Sequence, residues 1–253
     1  MPDLRFNDVA DIYSSARPAY PEEVYLQLLE AAAAPSFAVA VDIGCGAGQS
    51  LSGLIPIAET VIGVEPADKL RAAARKAFPG IEIVEGTGEA TGLATASSGL
   101  ITIATAFYWM DREKVLEEAS RVLKPGGVFS AYKYDLLKAI GPVGDIVAAH
   151  LSAHWDAHRD PRLTGHDDTA DVMRNGGLFA SVTSQTIANR IDYPSAEAFV
   201  QFWRSTSYVS AYLRTLADPQ AYLDGLVEDM CAVHAGAIEV NADIVMHIGK
   251  LKG

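Results

Sequence analysis

Short apolar runs and amphipathic stretches alternate along the first half of the chain. Apolar runs at 37–43, 60–65, 81–85, 100–105 and 128–132 have the length of buried strands, while 49–58, 67–78 and 112–123 carry apolar residues at helical spacing. Upstream, Pro21 followed by Glu22 and Glu23 marks a helix start, since proline fits the first position and acids favour the positive end of the dipole. Val24, Leu28 and Leu29 form that helix's apolar stripe, and Pro35 ends it. Strand–helix alternation at this spacing predicts an α/β fold with a parallel sheet covered on both faces. Right-handed crossovers then put a ligand at the carboxyl ends of the strands.

From Asp135 the rhythm changes. Residues 146–158 and 169–175 read as helices, the second ending at Gly176-Gly177, and 179–193 reads as one long strand rich in Val, Thr and Ile. Residues 195–234 form a helical insertion. The last strand, 237–250, alternates Ile238, Val240, Ala242 and Ile244 with Glu239, Asn241 and Asp243, and is expected to pair antiparallel near a sheet edge. The stretch before Pro18 carries Phe6, Tyr13 and Arg17 without a clear period.

Composition narrows the class. With 253 residues and 49% hydrophobic content, the chain can bury a substantial core. No window approaches the roughly 18 unbroken apolar residues of a membrane helix, and Met1-Pro2-Asp3-Leu4-Arg5 lacks an export pattern, so a cytoplasmic protein without a membrane partner is expected. Two cysteines, Cys45 and Cys231, make neither a disulfide framework nor a metal set. A net charge of −12 argues against a nucleic-acid partner, which demands a basic face. Lys69, Arg71, Arg75 and Lys76 are spread around one amphipathic helix as a solvated face.

The chemistry begins at Val41-Asp42-Ile43-Gly44-Cys45-Gly46-Ala47-Gly48, where a strand breaks into a glycine loop. Glycines there let backbone approach a nucleotide-like ligand without a Cβ in the way. Glu65, at the tip of the next strand, can accept the hydroxyl hydrogens of a ribose. A nicotinamide-dependent dehydrogenase uses a similar loop. Further along stand Gly86-Thr87-Gly88-Glu89-Ala90, Ala106-Phe107-Tyr108-Trp109 and Arg121-Val122-Leu123-Lys124-Pro125-Gly126-Gly127. In this order the motifs resemble a class I S-adenosylmethionine-dependent methyltransferase of the small-molecule type, closely over 10–133 and loosely beyond. The Lys124–Gly127 turn is a signature of that family and is absent from nicotinamide dehydrogenases.

The resemblance implies a Rossmann-like seven-stranded, mostly parallel sheet with its last strand antiparallel, plus a helical cap. One methyltransferase domain would span 1–253, with 1–34 as a cofactor-covering segment and 135–177 and 195–235 as helical cap insertions. S-adenosylmethionine would lie along Gly44, Gly46 and Gly48, with Asp42 organising the loop and the cofactor's ammonium, Glu65 with Pro66 at the ribose, and Thr87, Gly88 and Glu89 at the adenine edge. Ala106 would lie beside the cofactor, and Tyr13 and Arg17 would fold over it, Arg17 pairing with its carboxylate. Tyr108, Trp109 and Tyr13 are the catalytic candidates, aromatic faces beside the sulfonium. Relatives often have histidine where this chain has Tyr108, and an aspartate where it has Gly99.

His150, His154 and His158 recur every four residues, with His166 beyond, as a half-exposed face and not a metal array; one of them could reach the substrate as a base. Phe199 and Trp203 read as core. Arg204 and Tyr208 are further site candidates in a stretch that faintly resembles the lid of trans-aconitate-type carboxyl methyltransferases. The expected activity is methyl transfer to a small-molecule acceptor, O-methylation of a carboxylate or hydroxyl ahead of C- or N-methylation. A non-catalytic S-adenosylmethionine-binding protein is the rival, and the expected state is a monomer or homodimer.

Overall fold

The structure, a computed structural model, describes residues 16–253. In chain order its strands are β1 (Phe37–Ile43), β2 (Ala58–Val64), β3 (Glu82–Val84), β4 (Ser98–Ala104), β5 (Leu123–Tyr134), β6 (Lys138–Ala139), β7 (Phe179–Ile187), β8 (Arg190–Tyr193), β9 (Ile238–Asn241) and β10 (Ile244–Leu251). Seven of them form one sheet in the order β3-β2-β1-β4-β5-β10-β7. β1 to β5 run parallel, and β10 is antiparallel to both β5 and β7, so one strand of the seven is reversed. This is the sheet the sequence implied.

The central strands are apolar on both sides because both faces are covered. Ala40, Leu100 and Val128 point to one core, shared with Val24, Tyr25 and Leu28 of α1 (Glu22–Ala32) and Leu51 and Leu54 of α2 (Leu51–Leu54). Their neighbours Val41, Ile101 and Phe129 point to the other core, with Val115 and Leu116 of α4 (Arg112–Val122) and Met173 of α7 (Thr169–Asn175). Between these helices in sequence, α3 (Asp68–Ala77) packs beside β3. Leu28 is fully buried, and burial of such a side chain stabilises the fold by about 1.5–3 kcal/mol.

Several expectations change. The helix expected over 49–58 shrinks to α2, followed by a 3-10 turn at Ile55–Ile57, because Pro56 donates no hydrogen bond and Ala58 already starts β2. Lys124-Pro125-Gly126-Gly127 is a bulge within β5: Ser98 pairs with Leu123 but Leu100 pairs with Val128, and Gly126 turns through φ 73°. The helix expected over 146–158 is α5 (Pro142–His150), continued by a π turn at Leu151–Trp155 and a 3-10 turn at Asp156–His158. The long strands expected at 179–193 and 237–250 are each two. β7 and β10 belong to the main sheet, whereas β8 and β9 join β6 in a separate antiparallel sheet. The crossing point is pinned where Ala242 N donates to Asn189 O at 2.9 Å and Asn189 N donates to Asp243 Oδ1 at 3.1 Å.

The small sheet carries a third core. α5, α8 (Ala196–Arg204), α9 (Ser207–Leu213) and α10 (Pro219–Val233) pack there through Val147, Phe199, Trp203, Val209 and Leu226, around the fully buried Trp155. A short helix, α6 (Pro161–Thr164), lies nearer the main sheet, against the Phe107–Trp109 turn. Among the described residues no helix is long and apolar enough to cross a membrane.

Candidate active site

The loop after β1 is built on positive φ. Gly44 sits at φ 68°, where a Cβ would lie 3.0 Å from the Ala106 Cβ, so the loop lies flat against the β4 end only with glycine there. Glu65, at the tip of β2, ties this loop to the next: its carboxylate accepts from Gly46 N and Ala67 N, each at 2.9 Å. Burial pushes the Glu65 carboxyl up from its ordinary value, against those two amide bonds. Arg71 holds the same turn by donating to the carbonyl oxygens of Glu65 (3.0 Å) and Pro66 (2.7 Å).

Asp42 lies under the loop, fully buried, accepting from the Ser50 hydroxyl and from Thr102 Oγ1 at 2.7 Å. It does not line the main cavity; it reaches the loop through Ser50. Burial raises its carboxyl to about 7.

A cavity of about 700 Å³ runs along the carboxyl ends of β1 to β4. Gly44, Gly46, Glu65 and Pro66 form one side, Thr87, Gly88 and Glu89 the far end, and Ala106 and Trp109 the side toward the cap. Gly88 makes room there, since a Cβ would stand 2.6 Å from Met110 Sδ. Glu89 Oε1 accepts from Asp111 N at 2.9 Å, closing that end. Gly48 lies outside this cavity, facing the Phe78 ring.

A second cavity, of about 170 Å³, opens on the other side of Thr105 and Trp109, which line both. Tyr108, Tyr134, Phe202 and Tyr208 give it aromatic walls, and Arg17, Lys133 and Arg159 give it charge. Arg17 also lines a narrow cleft over Gly44 and Gly46; its Nε donates to Ser205 Oγ at 3.0 Å and its guanidinium lies 4.8 Å over Phe202. The Tyr108 and Trp109 rings are 5.0 Å apart, and the Arg162 guanidinium covers Trp109 at 4.6 Å. Tyr13 lies outside the described residues.

The glycine cradle, the acid at the tip of β2 and the long cavity across the strand ends fit an extended adenosine-bearing ligand. Comparison with known proteins says which. A family described as "Methyltransferase domain" matches residues 41–131. A protein of Dictyostelium discoideum named as a methyltransferase is 30% identical over 191 residues, 74% of this chain and 70% of its own. The chain belongs to the class I S-adenosylmethionine-dependent methyltransferases. A Mycobacterium tuberculosis protein named as an uncharacterized methyltransferase is 32% identical over 124 residues, 49% of either chain, so the matched part spans about half the length of that relative. The solved structure described as a type II methyltransferase from Anaeromyxobacter dehalogenans superposes with a TM-score of 0.73 at 27% identity, covering 94% of this chain and 99% of that one. The cofactor implied by this membership is S-adenosylmethionine, and the cradle at Gly44 and Gly88 has the shape to take it.

Other candidates fall elsewhere. His150 Nδ1 pairs with the Tyr222 hydroxyl at 2.7 Å, and His154 stacks on Tyr212 at 5.2 Å; among the described residues no histidine lines either cavity. Tyr208 lines the second cavity, whereas Arg204 does not and leans toward Gln201. Sequence reasoning missed Thr105, Lys133 and Arg159. Thr105 is a β-branched residue at φ 54°, a strained conformation that clusters at functional sites. It is held by its N–H to Tyr132 O (2.7 Å) and by a hydroxyl contact with Tyr20 at 2.6 Å. No local pattern announces such a residue.

Proposed function

We propose that this protein transfers a methyl group from S-adenosylmethionine to a small-molecule acceptor, with oxygen as the preferred methylated atom. The observation that carries this reading is the shared wall: Thr105 and Trp109 line both the long cavity of the glycine loop and the smaller aromatic one. A donor in the first and an acceptor in the second would meet across that wall, and alignment of this kind supplies much of the catalysis of an in-line displacement.

In this reading Gly44, Gly46, Glu65 and Pro66 hold the methionine and ribose portions, and Thr87, Gly88 and Glu89 hold the adenine. Gly48 and Asp42 shape the loop from outside the cavity, and Arg17 takes the cofactor's carboxylate from the cleft over the glycines. S-adenosylmethionine supplies an activated methyl group on a sulfonium. Trp109 and Tyr108 shield that cation from water and steer the acceptor toward it. An acceptor oxygen that arrives ionised needs no proton removed, which suits a pocket walled by aromatic rings and cations. The enzyme would be cytoplasmic, a monomer or homodimer acting on metabolites, with 135–168 and 195–235 as its cap. α7, within the expected cap 135–177, packs on the main sheet through Met173, and α1, within the expected covering segment 1–34, packs there through Val24 and Leu28.

Calorimetry with S-adenosylmethionine, S-adenosylhomocysteine and NAD tests the cofactor, and binding of NAD alone would sink the reading. Transfer of labelled methyl to a metabolite panel tests the reaction. Tight cofactor binding with no transfer to any member would favour the non-catalytic alternative.

A further inference from the structure

The smaller cavity shows an uneven distribution of donors and acceptors. Arg159 donates Nη1 to Asp156 Oδ1 at 3.1 Å and Nη2 to Leu163 O at 3.1 Å, yet its buried Nε has no acceptor. Trp203, 1% exposed, also lines this cavity, and its buried Nε1 has no acceptor either. Both orphans are N–H donors. Each costs about 1–3 kcal/mol while unpaired, so both would gain from an oxygen that reaches them and accepts.

Charge points the same way. Arg17, Lys133 and Arg159 line the cavity, against one carboxylate, Asp135. The counter-ions Asp167, 3.0 Å from Lys133, and Asp156 stand behind the cations and do not line the space. With Arg17 given to the cofactor's carboxylate, Lys133 and Arg159 still outnumber the one lining carboxylate, Asp135. The flanking surfaces are flat: Tyr108, Trp109, Tyr134, Phe202 and Tyr208 present rings, with the Arg159 guanidinium 5.6 Å over Tyr208.

Resting on the methyl-transfer reading above, we infer that the acceptor is a planar aromatic molecule bearing a carboxylate or comparable oxyanion, recognised by Arg159 and Trp203 and slotted between the aromatic walls. Arg159 and Trp203 are the residues that determine its specificity. A neutral isostere would lose the charge-assisted bond from Arg159, and a puckered ring would lose contact with the walls.

The test is calorimetry on the full chain loaded with S-adenosylhomocysteine, using benzoate and cinnamate against benzamide, cinnamamide and cyclohexanecarboxylate. The carboxylates of planar rings are expected to bind at least about tenfold tighter than the amides and the puckered acid. R159Q should remove that preference, R159K should retain part of it, and W203F should weaken the aromatic acids by roughly tenfold. Affinity for S-adenosylhomocysteine should stay within about twofold in all three, which separates a recognition defect from a folding defect. Equal binding of acid and amide, equal binding of the puckered acid, indifference to R159Q, or no binding of either aromatic acid would overturn the inference. Failure of the wild-type chain to bind S-adenosylhomocysteine would overturn the underlying function instead.

Discussion

Replacing Asp42 with asparagine should make the protein's stability less sensitive to pH. Asp42 is fully buried at the end of β1, and burial raises its carboxyl from 3.8 to about 7, a shift enlarged by the nearby Glu65 and opposed by the Ser50 and Thr102 hydroxyls. Between those two values the unfolded chain has released this proton and the native protein still holds it. The unfolded state binds fewer protons there, so stability falls as pH rises, by about 1.4 kcal/mol per pH unit. The contribution is whole below the unfolded value and has been lost by the time pH passes the native one. From pH 5 to pH 8 the loss is about 2.5 kcal/mol, most of it before the native group ionises. Asparagine has no proton to release, and its carbonyl oxygen and amide still meet both hydroxyls. Guanidinium unfolding of wild type and D42N at pH 5, 6, 7 and 8 should therefore show the wild type losing about 2.5 kcal/mol relative to the variant, or roughly 5–10 °C in melting temperature. A difference that stays flat with pH, or grows in the wild type's favour, would refute the assignment of a neutral buried carboxyl.

Other outcomes follow from the same site. E65Q keeps one acceptor for the two amides of Gly46 and Ala67 and loses the charge; calorimetry should show S-adenosylmethionine affinity falling about tenfold or more. G44A brings a Cβ within 3.0 Å of Ala106 at φ 68°, and should cost about 1–2 kcal/mol in denaturant unfolding as well as weakening the cofactor. Glu118 accepts from Thr91 and Arg121, and those bonds, Arg121 first, lower its carboxyl to about 2. Its stabilisation is present above 4.5 and is lost as pH falls toward 2, so E118Q should cost about 2 kcal/mol at pH 7 and converge on wild type near pH 2.

The glycine loop and the acid after the next strand were legible because they are encoded locally. Gly44, Gly46 and Gly48 take positive φ within five residues of chain, and Glu65 follows at the end of the very next strand. A strand–loop–helix unit carries its own pattern of apolar run, glycine and acid. The long strands of the second half were misread for a physical reason too. Ile238, Val240, Ala242, Ile244, Met246 and Ile248 are all buried in alternation, so the period of two runs unbroken through the point where the chain leaves one sheet for the other. Only Asn189 and Asp243 mark that crossing, through hydrogen bonds between segments more than fifty residues apart.

That crossing also explains why the second cavity resisted reading. Its walls come from the β4 end, the β5 end, the turn after α5, and helices α8 and α9, which no short window contains. What assembles them is the hinge at Asn189 and Asp243, which lets β7 and β10 finish the methyltransferase sheet while β8 and β9 carry the third core beside its carboxyl edge. Asp243 O also accepts from Asp135 N at 2.8 Å, so the chain leaving β5 is tied to the same point. The cofactor loop depends on backbone conformations that glycine alone adopts readily. The second cavity depends on side chains, Lys133, Arg159, Trp203 and Tyr208 among them, which can change without disturbing the sheet. In the methyl-transfer reading proposed above, a fold divided in this way would hold one donor fixed and leave the choice of acceptor to the residues of the cap.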